Sequence, residues 1–514
     1  MFRPLMSRAL CAMLGAAALG VQAQSTETAQ PPTVTAIDQR PAAFEMSWTP
    51  LRLNGGQRSA LLGGSYLVAL NETWGLGPSV YGAAKGDLGG FFASGLTLQG
   101  RWALGQDMHL SAGLFTGAGG GVSTPLNNTG GGLMLRPELS LRSQFGAWYL
   151  GLGVAQLRFP SGNIRDTNWT LVLGRSDRFL SFSPEEAGRW GRAGDRTGMG
   201  FDEVALNVVQ DSPRASASRQ RSGQTVSGRR GRAGADVRQY LGEGAWWGLE
   251  ASGAAQGGND GYMDVLANMG QDWALFSPRL RVGAQLSAGL GGGGDLDTGS
   301  GWLLRAGPTL RWITPWGPTL RLEAAWTKAP RGHYEARQLR LALALPLEPL
   351  SRTLSLPPLE SAAVRLQTWT FGAHHFSRLP YKDGRQEGMT ALTLGVTRQL
   401  GGPLYGVAQA GSAARGRAGA YAYGLFGLGL NSPAWSGWRT GAELLVGAAG
   451  GGGVAAGSGA VAQSQAWLQW EGLQSDGRLR LRLGAGQWRT LGQTHNSSPM
   501  FNLDLGYAFG TTGR

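Results

Sequence analysis

"LMLRPELSLR", residues 133–142, decides the fold. Read with a period of two, one face carries Leu133, Leu135, Pro137, Leu139 and Leu141, and the other carries Met134, Arg136, Glu138, Ser140 and Arg142. That is how a strand presents its residues to two different surroundings. The pattern recurs in "TLRLEAAW", where Leu320, Leu322 and Ala324 oppose Arg321 and Glu323. It recurs again in "RLRLRLGAGQW", where Leu479, Leu481 and Leu483 oppose Arg480, Arg482 and Gly484. A leucine face suits lipid and a charged face suits water or ion pairs, because a charge on the lipid side at mid-depth costs about 2–4 kcal/mol.

Outward from this strand, the stretch 43–176 divides into eight segments, each of the length that crosses a bilayer at a tilt. They begin with "FEMSWTPLRL" and "ALLGGSYLVAL" and end with "WYLGLGVAQLRF" and "NWTLVLG". Short connectors such as "NETW" and "LGQD" alternate with equal or longer ones such as "AGGGVSTPLNNTGG", as short periplasmic turns and longer outer loops would. The fifth segment ends in a glycine phrase, "LSAGLFTGAGGG" from Leu110, which returns as "LSAGLGGGG" from Leu286 and "LLVGAAGGGG" from Leu444. Third segments match as well: "VYGAAKG", "ASGAAQG" and "YGVAQAG". These repeats define three copies of one β unit.

The expected organisation is a signal peptide at 1–23, a short polar segment at 24–42 and a first repeat at 43–176. A second repeat follows at 177–347, opening on "FLSFSP" and carrying a long basic outer loop at 185–232. A proline-rich connector occupies 348–363, and the third repeat, 364–514, ends in a targeting strand. The fold class is all-β, a transmembrane antiparallel β-barrel of about 24 strands. The short junction "LVLGRSDRFLSF" favours a single large barrel; three tandem eight-stranded barrels are the rival, eight strands being the size at which side chains fill the interior. A soluble sandwich with a polar outer face is a third arrangement of the same alternation.

Composition agrees with export and a membrane. Of 514 residues 86 are glycine and 19 tryptophan, and only 15% are charged. Arg3 and Arg8, an apolar run and Val21-Gln22-Ala23 read as a secretory leader, which contains the one cysteine, Cys11. An exported chain then gains no disulfide, and closed hydrogen bonding in a barrel is one substitute. Trp48, Trp169, Trp246, Trp247, Trp312, Trp326, Trp369, Trp467 and Trp470 fall near strand ends or on apolar faces, where aromatic girdles form. The net charge of +13 would ordinarily raise nucleic acid as a partner; the leader argues against it, and the basic excess reads as a loop facing lipopolysaccharide or other polyanions.

The last strand, "FNLDLGYAFG", with Tyr507 and Phe509 on one face, resembles the C-terminal targeting strand of Gram-negative outer-membrane β-barrel proteins, although "GTTGR" follows where that signal usually stops. The resemblance implies an outer-membrane location, contact with outer-membrane lipid and lipopolysaccharide, and recognition by the barrel assembly machinery. With only about 20 polar residues between the leader and the first strand, any periplasmic export partner would be a separate chain.

Charges on the polar faces are expected to line the lumen: Arg136, Glu138, Arg142, Glu250, Arg279, Arg281, Arg305, Arg311, Arg321, Glu323, Glu443, Arg480 and Arg482. Arginine leads, and arginine rings favour anions, so the leading functional expectation is a pore or export conduit with weak anion selectivity. Mutual pairing of these charges is the structural alternative. A surface anchor whose basic loop binds polyanions is the second functional reading. The third is an esterase: His495 and Ser497 lie two apart and share a side of a strand, and the eight-stranded unit resembles outer-membrane lipid A deacylases, which use a His-x-Ser pair. No acidic residue stands at the expected later position in the remaining tail to orient His495. "GLGGGG" at Gly289 has dinucleotide-type spacing without a following helix, and neither a metal site nor a cofactor is expected; the His374-His375 pair is read as lying on an outer loop.

Overall fold

A computed structural model describes residues 37–86, 89–121, 127–191, 195–348, 362–492 and 495–513. The expected signal peptide and nearly all of the expected proline-rich connector lie outside the described residues. The described chain is antiparallel β throughout, with only two three-residue 3-10 turns besides.

Barrel 1 is built from β1 (Asp38–Arg52), β2 (Arg58–Ala69), β3 (Trp74–Lys85), β4 (Phe92–Ala103), β5 (Met108–Gly120), β6 (Leu133–Phe145), β7 (Trp148–Arg158) and β8 (Arg165–Ser181). A two-residue strand, β9 (Trp190–Gly191), lies in the segment leading to barrel 2. Barrel 2 is β10 (Glu203–Pro213), β11 (Arg230–Tyr240), β12 (Ala245–Gln256), β13 (Met263–Leu275), β14 (Ser277–Gly292), β15 (Trp302–Ile313), β16 (Thr319–Lys328) and β17 (Glu335–Pro346). Barrel 3 is β18 (Ala362–Pro380), β19 (Gln386–Gly401), β20 (Leu404–Arg415), β21 (Ala422–Asn431), β22 (Trp438–Gly450), β23 (Ala460–Trp470), β24 (Leu479–Thr490) and β25 (Ser497–Gly513).

Each set closes on itself. β1 pairs with β8 from Asp38↔Ser181 to Trp48↔Leu171, β10 with β17 from Glu203↔Pro346 to Pro213↔Ala336, and β18 with β25 from Ala363↔Gly513 to Phe376↔Met500. The single barrel of about 24 strands is therefore corrected to three barrels of eight. The reason lies in the edges: after eight strands the last finds its hydrogen-bond partner in the first, leaving none for the next unit. β9 alone adds to a barrel from outside, pairing with Ala362–Ala363 at the start of β18.

Three boundaries move. β1 begins at Asp38, inside the expected polar segment, and "FLSFSP" supplies the end of β8 instead of opening the second unit. The strand that opens barrel 2 is "EVALNVVQDSP", β10, within the stretch read as one loop, so the basic outer loop shrinks to residues 214–229.

The alternation is inside out relative to a water-soluble protein. In β6, Leu139 and Leu141 are 53% and 42% exposed, whereas Ser140 and Arg142 between and beside them are buried. In β16, Leu322 is exposed between buried Arg321 and Glu323. Leucines thus form the outer wall and ion pairs the filling, which a soluble sandwich could not sustain and a bilayer requires. Trp169, Trp312, Trp326 and Trp470 stand exposed near strand ends as expected of girdles, but Trp246 and Trp467 are buried inside barrels 2 and 3. There the indole faces serve arginines: Arg238 lies 3.7 Å from the Trp246 ring centre and Arg482 4.2 Å from that of Trp467.

The glycine phrases explain how the barrels meet. The end of β14 packs on the loop after β3: a Cβ on Gly90 would lie 2.3 Å from Gly293 N, and one on Gly292 would lie 2.5 Å from Gly90 N. The end of β22 packs on the loop after β12, where a Cβ on Gly450 would lie 2.1 Å from Gly261 N. The end of β5 packs on the loop after β20, with Gly120 against Ala420. Gly90 and Gly261, at φ +92° and +88°, also hold a backbone shape that other residues rarely adopt. The fifth strand of each barrel therefore meets the third strand of another, around a closed head-to-tail ring. Trp302 donates to Ala84 O across one seam, Ser458 to Ala255 O across another, and Lys382 pairs with Asp260 at 2.8 Å.

Nearer the turns, aromatic rings from all three barrels meet. Phe44 touches Tyr66 and Trp247, Tyr66 touches Trp369, and Trp369 packs on Phe179 and Phe509 at 5.4 and 5.2 Å. Trp369 and Trp247 accordingly belong to this seam and not to a girdle.

Candidate functional site

Three places could carry function: the barrel interiors, the loop end and the turn end. In barrel 1 the inward faces of β1, β4, β6 and β7 bring Glu45, Gln99, Arg142 and Tyr149 together. Glu45 accepts hydrogen bonds from Arg142, from Tyr149 Oη at 2.6 Å and from Arg101 at 3.1 Å. Arg136 pairs with Glu138 at 2.6 Å and donates to Thr49 and Thr170. The space left beside them is about 20 Å³, room for one water.

Barrel 2 is filled more densely with charge. Arg232, Arg238, Arg281, Arg305, Arg311, Arg321 and Arg340 are all buried with Glu203, Asp211, Asp236, Glu250, Asp264, Asp272 and Glu323. Arg305 pairs with Glu250 and with Asp264, Arg340 with Glu250 at 2.6 Å, Arg321 with Asp236 at 2.6 Å, and Arg311 with Glu203 at 2.7 Å. The expected lead of arginine disappears here because five of the seven carboxylates escape the sequence pattern: Glu203 and Asp211 on β10, Asp236 on β11, and Asp264 and Asp272 on β13. Arg230 adds one further buried guanidinium at the loop end. Arg279 is the exception among the predicted lumen charges: it shares the parity of Arg281 but is exposed at the start of β14.

Barrel 3 is divided along its axis. Toward the loops it is packed with apolar and aromatic side chains, among them Phe376, Tyr421, Val454, Trp488 and Met500, all essentially inaccessible. Below them His374 Nε2 lies 3.0 Å from Asp504 and Nδ1 lies 3.3 Å from Tyr423 Oη. His374 is thus an interior residue of β18 while His375 is exposed on the same strand, which corrects their expected place on a loop. Toward the turns the barrel opens into a cavity of about 660 Å³, whose lining includes Thr368, Thr397, Tyr405, Arg439, Trp467, Gln469, Glu471, Arg480 and Arg482. At its floor Glu443 accepts from Arg482 at 2.7 Å and from Tyr405 at 2.8 Å.

Clusters in barrels 1 and 2 close the same end as that of barrel 3: Phe91, Phe115, Phe159 and Ile164 in one, and Tyr262, Leu296, Leu303 and Tyr334 in the other. Outside these lids the loops are strongly basic. Arg52, Arg58, Lys85, Arg158, Arg165, Arg214, Arg221, Arg229, Arg331 and Arg417 are exposed there. Some are paired, as Arg214 with Glu335 at 3.0 Å.

His495 and Ser497 are both exposed, at the entry to β25. No hydrogen bond joins them to each other or to a carboxylate among the described residues, so the geometry shows no activated serine. The tail that follows Phe509 continues the barrel wall: Thr511 and Thr512 pair with Arg365 and Val364. No group of metal-binding side chains occurs among the described residues.

No family model and no curated protein matches the chain. Solved outer-membrane proteins align with it weakly along their length. OccK2 (OpdF) of Pseudomonas aeruginosa, solved in complex with glucuronate, is 11% identical at a TM-score of 0.22, over 92% of this chain and 98% of its own. OccAB4 of Acinetobacter baumannii is 12% identical at 0.22, over 94% and 100%. The outer membrane protein opdK of Pseudomonas aeruginosa is 10% identical at 0.22, over 92% and 99%. These scores are too low for a shared architecture to be read from them. Closed spanning barrels with short turns at one end, long loops at the other and a lipid-facing leucine wall are the architecture of the bacterial outer membrane, and this chain has it three times.

Proposed function

We propose that the protein is an outer-membrane platform that presents a basic outward face to polyanions, foremost the phosphate groups of lipopolysaccharide. One observation carries the reading: most interior arginines of barrels 1 and 2 are paired with interior carboxylates, whereas many loop-end arginines are exposed to solvent. Charge that is already paired inside a filled eight-stranded barrel has little left for a passing ion. An exposed guanidinium can form bidentate contacts with phosphate.

A second reading is a pore, to which the open turn-end half of barrel 3 lends support; weak anion selectivity belongs to this reading and would come from Arg439, Arg480 and Arg482. Planar-bilayer recording under a salt gradient separates the two. The platform predicts no resolved conductance steps from the purified chain, and retention on immobilised lipopolysaccharide that weakens when residues 214–229 are replaced by a glycine-serine loop. Stable steps, with retention unchanged by that replacement, would establish the pore and reject the platform.

A further inference from the structure

We propose that the turn-end cavity of barrel 3 is a binding site for a small organic anion, a carboxylate or phosphate monoester attached to a flat apolar body. Equivalent levels of barrels 1 and 2 are filled by their own carboxylates and tyrosines. Barrel 3 has space instead, about 660 Å³, within the range of small-molecule sites.

One guanidinium in this space keeps an unused edge. Arg439, Arg480 and Arg482 share the space with Glu443, Glu471 and the exposed Glu185, and Glu443 and Glu471 are fully engaged. Glu471 receives Arg439 Nε at 3.0 Å, Arg480 Nη1 at 3.2 Å and Gln469 Nε2 at 2.8 Å. Glu443 receives Arg482, Tyr405 and Gln465. Arg480 is only 7% exposed, yet it spends Nε on Gly477 O at 3.4 Å and Nη1 on Glu471, so that Nη2 has no protein partner. A buried guanidinium with an unused donor edge on a cavity is a site for an anionic oxygen. Beside it Trp467 and Tyr405 supply aromatic surface, and Thr368 and Thr397 supply hydroxyls. A cation would meet the open donor edge of Arg480, and a neutral molecule would leave its charge without a counter-ion.

The test is ¹⁹F NMR on the full chain in detergent micelles, titrating 4-fluorobenzoate, 4-fluorophenyl phosphate and 4-fluorobenzylamine. The two anions should broaden saturably and the amine should not; the tighter of the two tells carboxylate from phosphate. Arg480→Met should weaken anion binding at least tenfold. Glu471→Gln, which releases Arg439 and Arg480 without removing a cation, should tighten it severalfold and guards against a misfolded arginine variant. Equal broadening by the amine, no saturation by either anion, or weaker binding in Glu471→Gln would overturn the assignment. None of these outcomes depends on whether the platform or the pore reading holds.

Discussion

Arg305 shows what the buried charges of barrel 2 contribute. It pairs with both Glu250 and Asp264, which Arg340 and Arg232 also contact, and Arg305 and the two carboxylates are about 1% exposed. Removing one member of such a set strands the others without water, a loss of about 3–5 kcal/mol. Arg305→Met is expected to lower the urea midpoint of refolded protein in micelles, and adding Glu250→Gln should recover part of the loss. Glu348 is the opposite case, a carboxyl outside the strands with few charges to hold it. It is bound by Thr197 N and Oγ1 and by Thr512 Oγ1 at 2.6 Å, and burial pushes its pKa up to about 7 despite these contacts and nearby Arg398. Its folded pKa lies above its ordinary value of 4.5, so its contribution is fully present below about pH 4.5 and is lost as pH rises through about 7. Melting curves at pH 5.5 and 8.0 should show a fall that Glu348→Gln abolishes.

At the scale of elements, alternation in the chain predicts faces well and partners poorly. Every barrel strand but one is legible, since the alternation of apolar residues with polar or small ones at period two survives without any knowledge of neighbours. The exception, β10, has Val204, Leu206 and Val208 on its outer side and Ala205, Asn207 and Val209 among its inner residues, so its contrast is weak. Basic stretches on both sides hid it further. Because β10 carries buried Glu203 and Asp211, its weak contrast also makes arginine look more abundant inside than it is. The cavity of barrel 3 was half visible: Arg480, Arg482 and Glu443 were placed inward, but Arg439 and Glu471 come from strand ends and turns, where parity says nothing about direction. Seams were equally hidden, because a glycine run looks the same in a loose loop and in a close backbone contact. Gly450→Val tests that difference. The added side chain cannot fit beside Gly261 N, and overpacking of this kind costs about 1–3 kcal/mol. Barrel closure should survive, while a thiol crosslink between Ser458→Cys and Ala255→Cys, efficient in the parent, should become slow.

For the whole molecule, three closed ladders and three cyclic seams are separate levels of organisation. Each barrel satisfies its backbone hydrogen bonds alone, so each could in principle persist as a unit; the seams only fix how the units stand together. This has a consequence for biogenesis. The contact between β5 and the loop after β20 joins residues about 300 positions apart, Gly120 and Ala420, and cannot exist until the third barrel has entered the bilayer. Insertion of the first two units leaves an open arc with an unmated glycine edge at either end, able to accept the corresponding edge of a neighbouring molecule. The last barrel to arrive is therefore the keystone that makes the assembly finite, and a chain stopped after residue 348 should accumulate as head-to-tail oligomers.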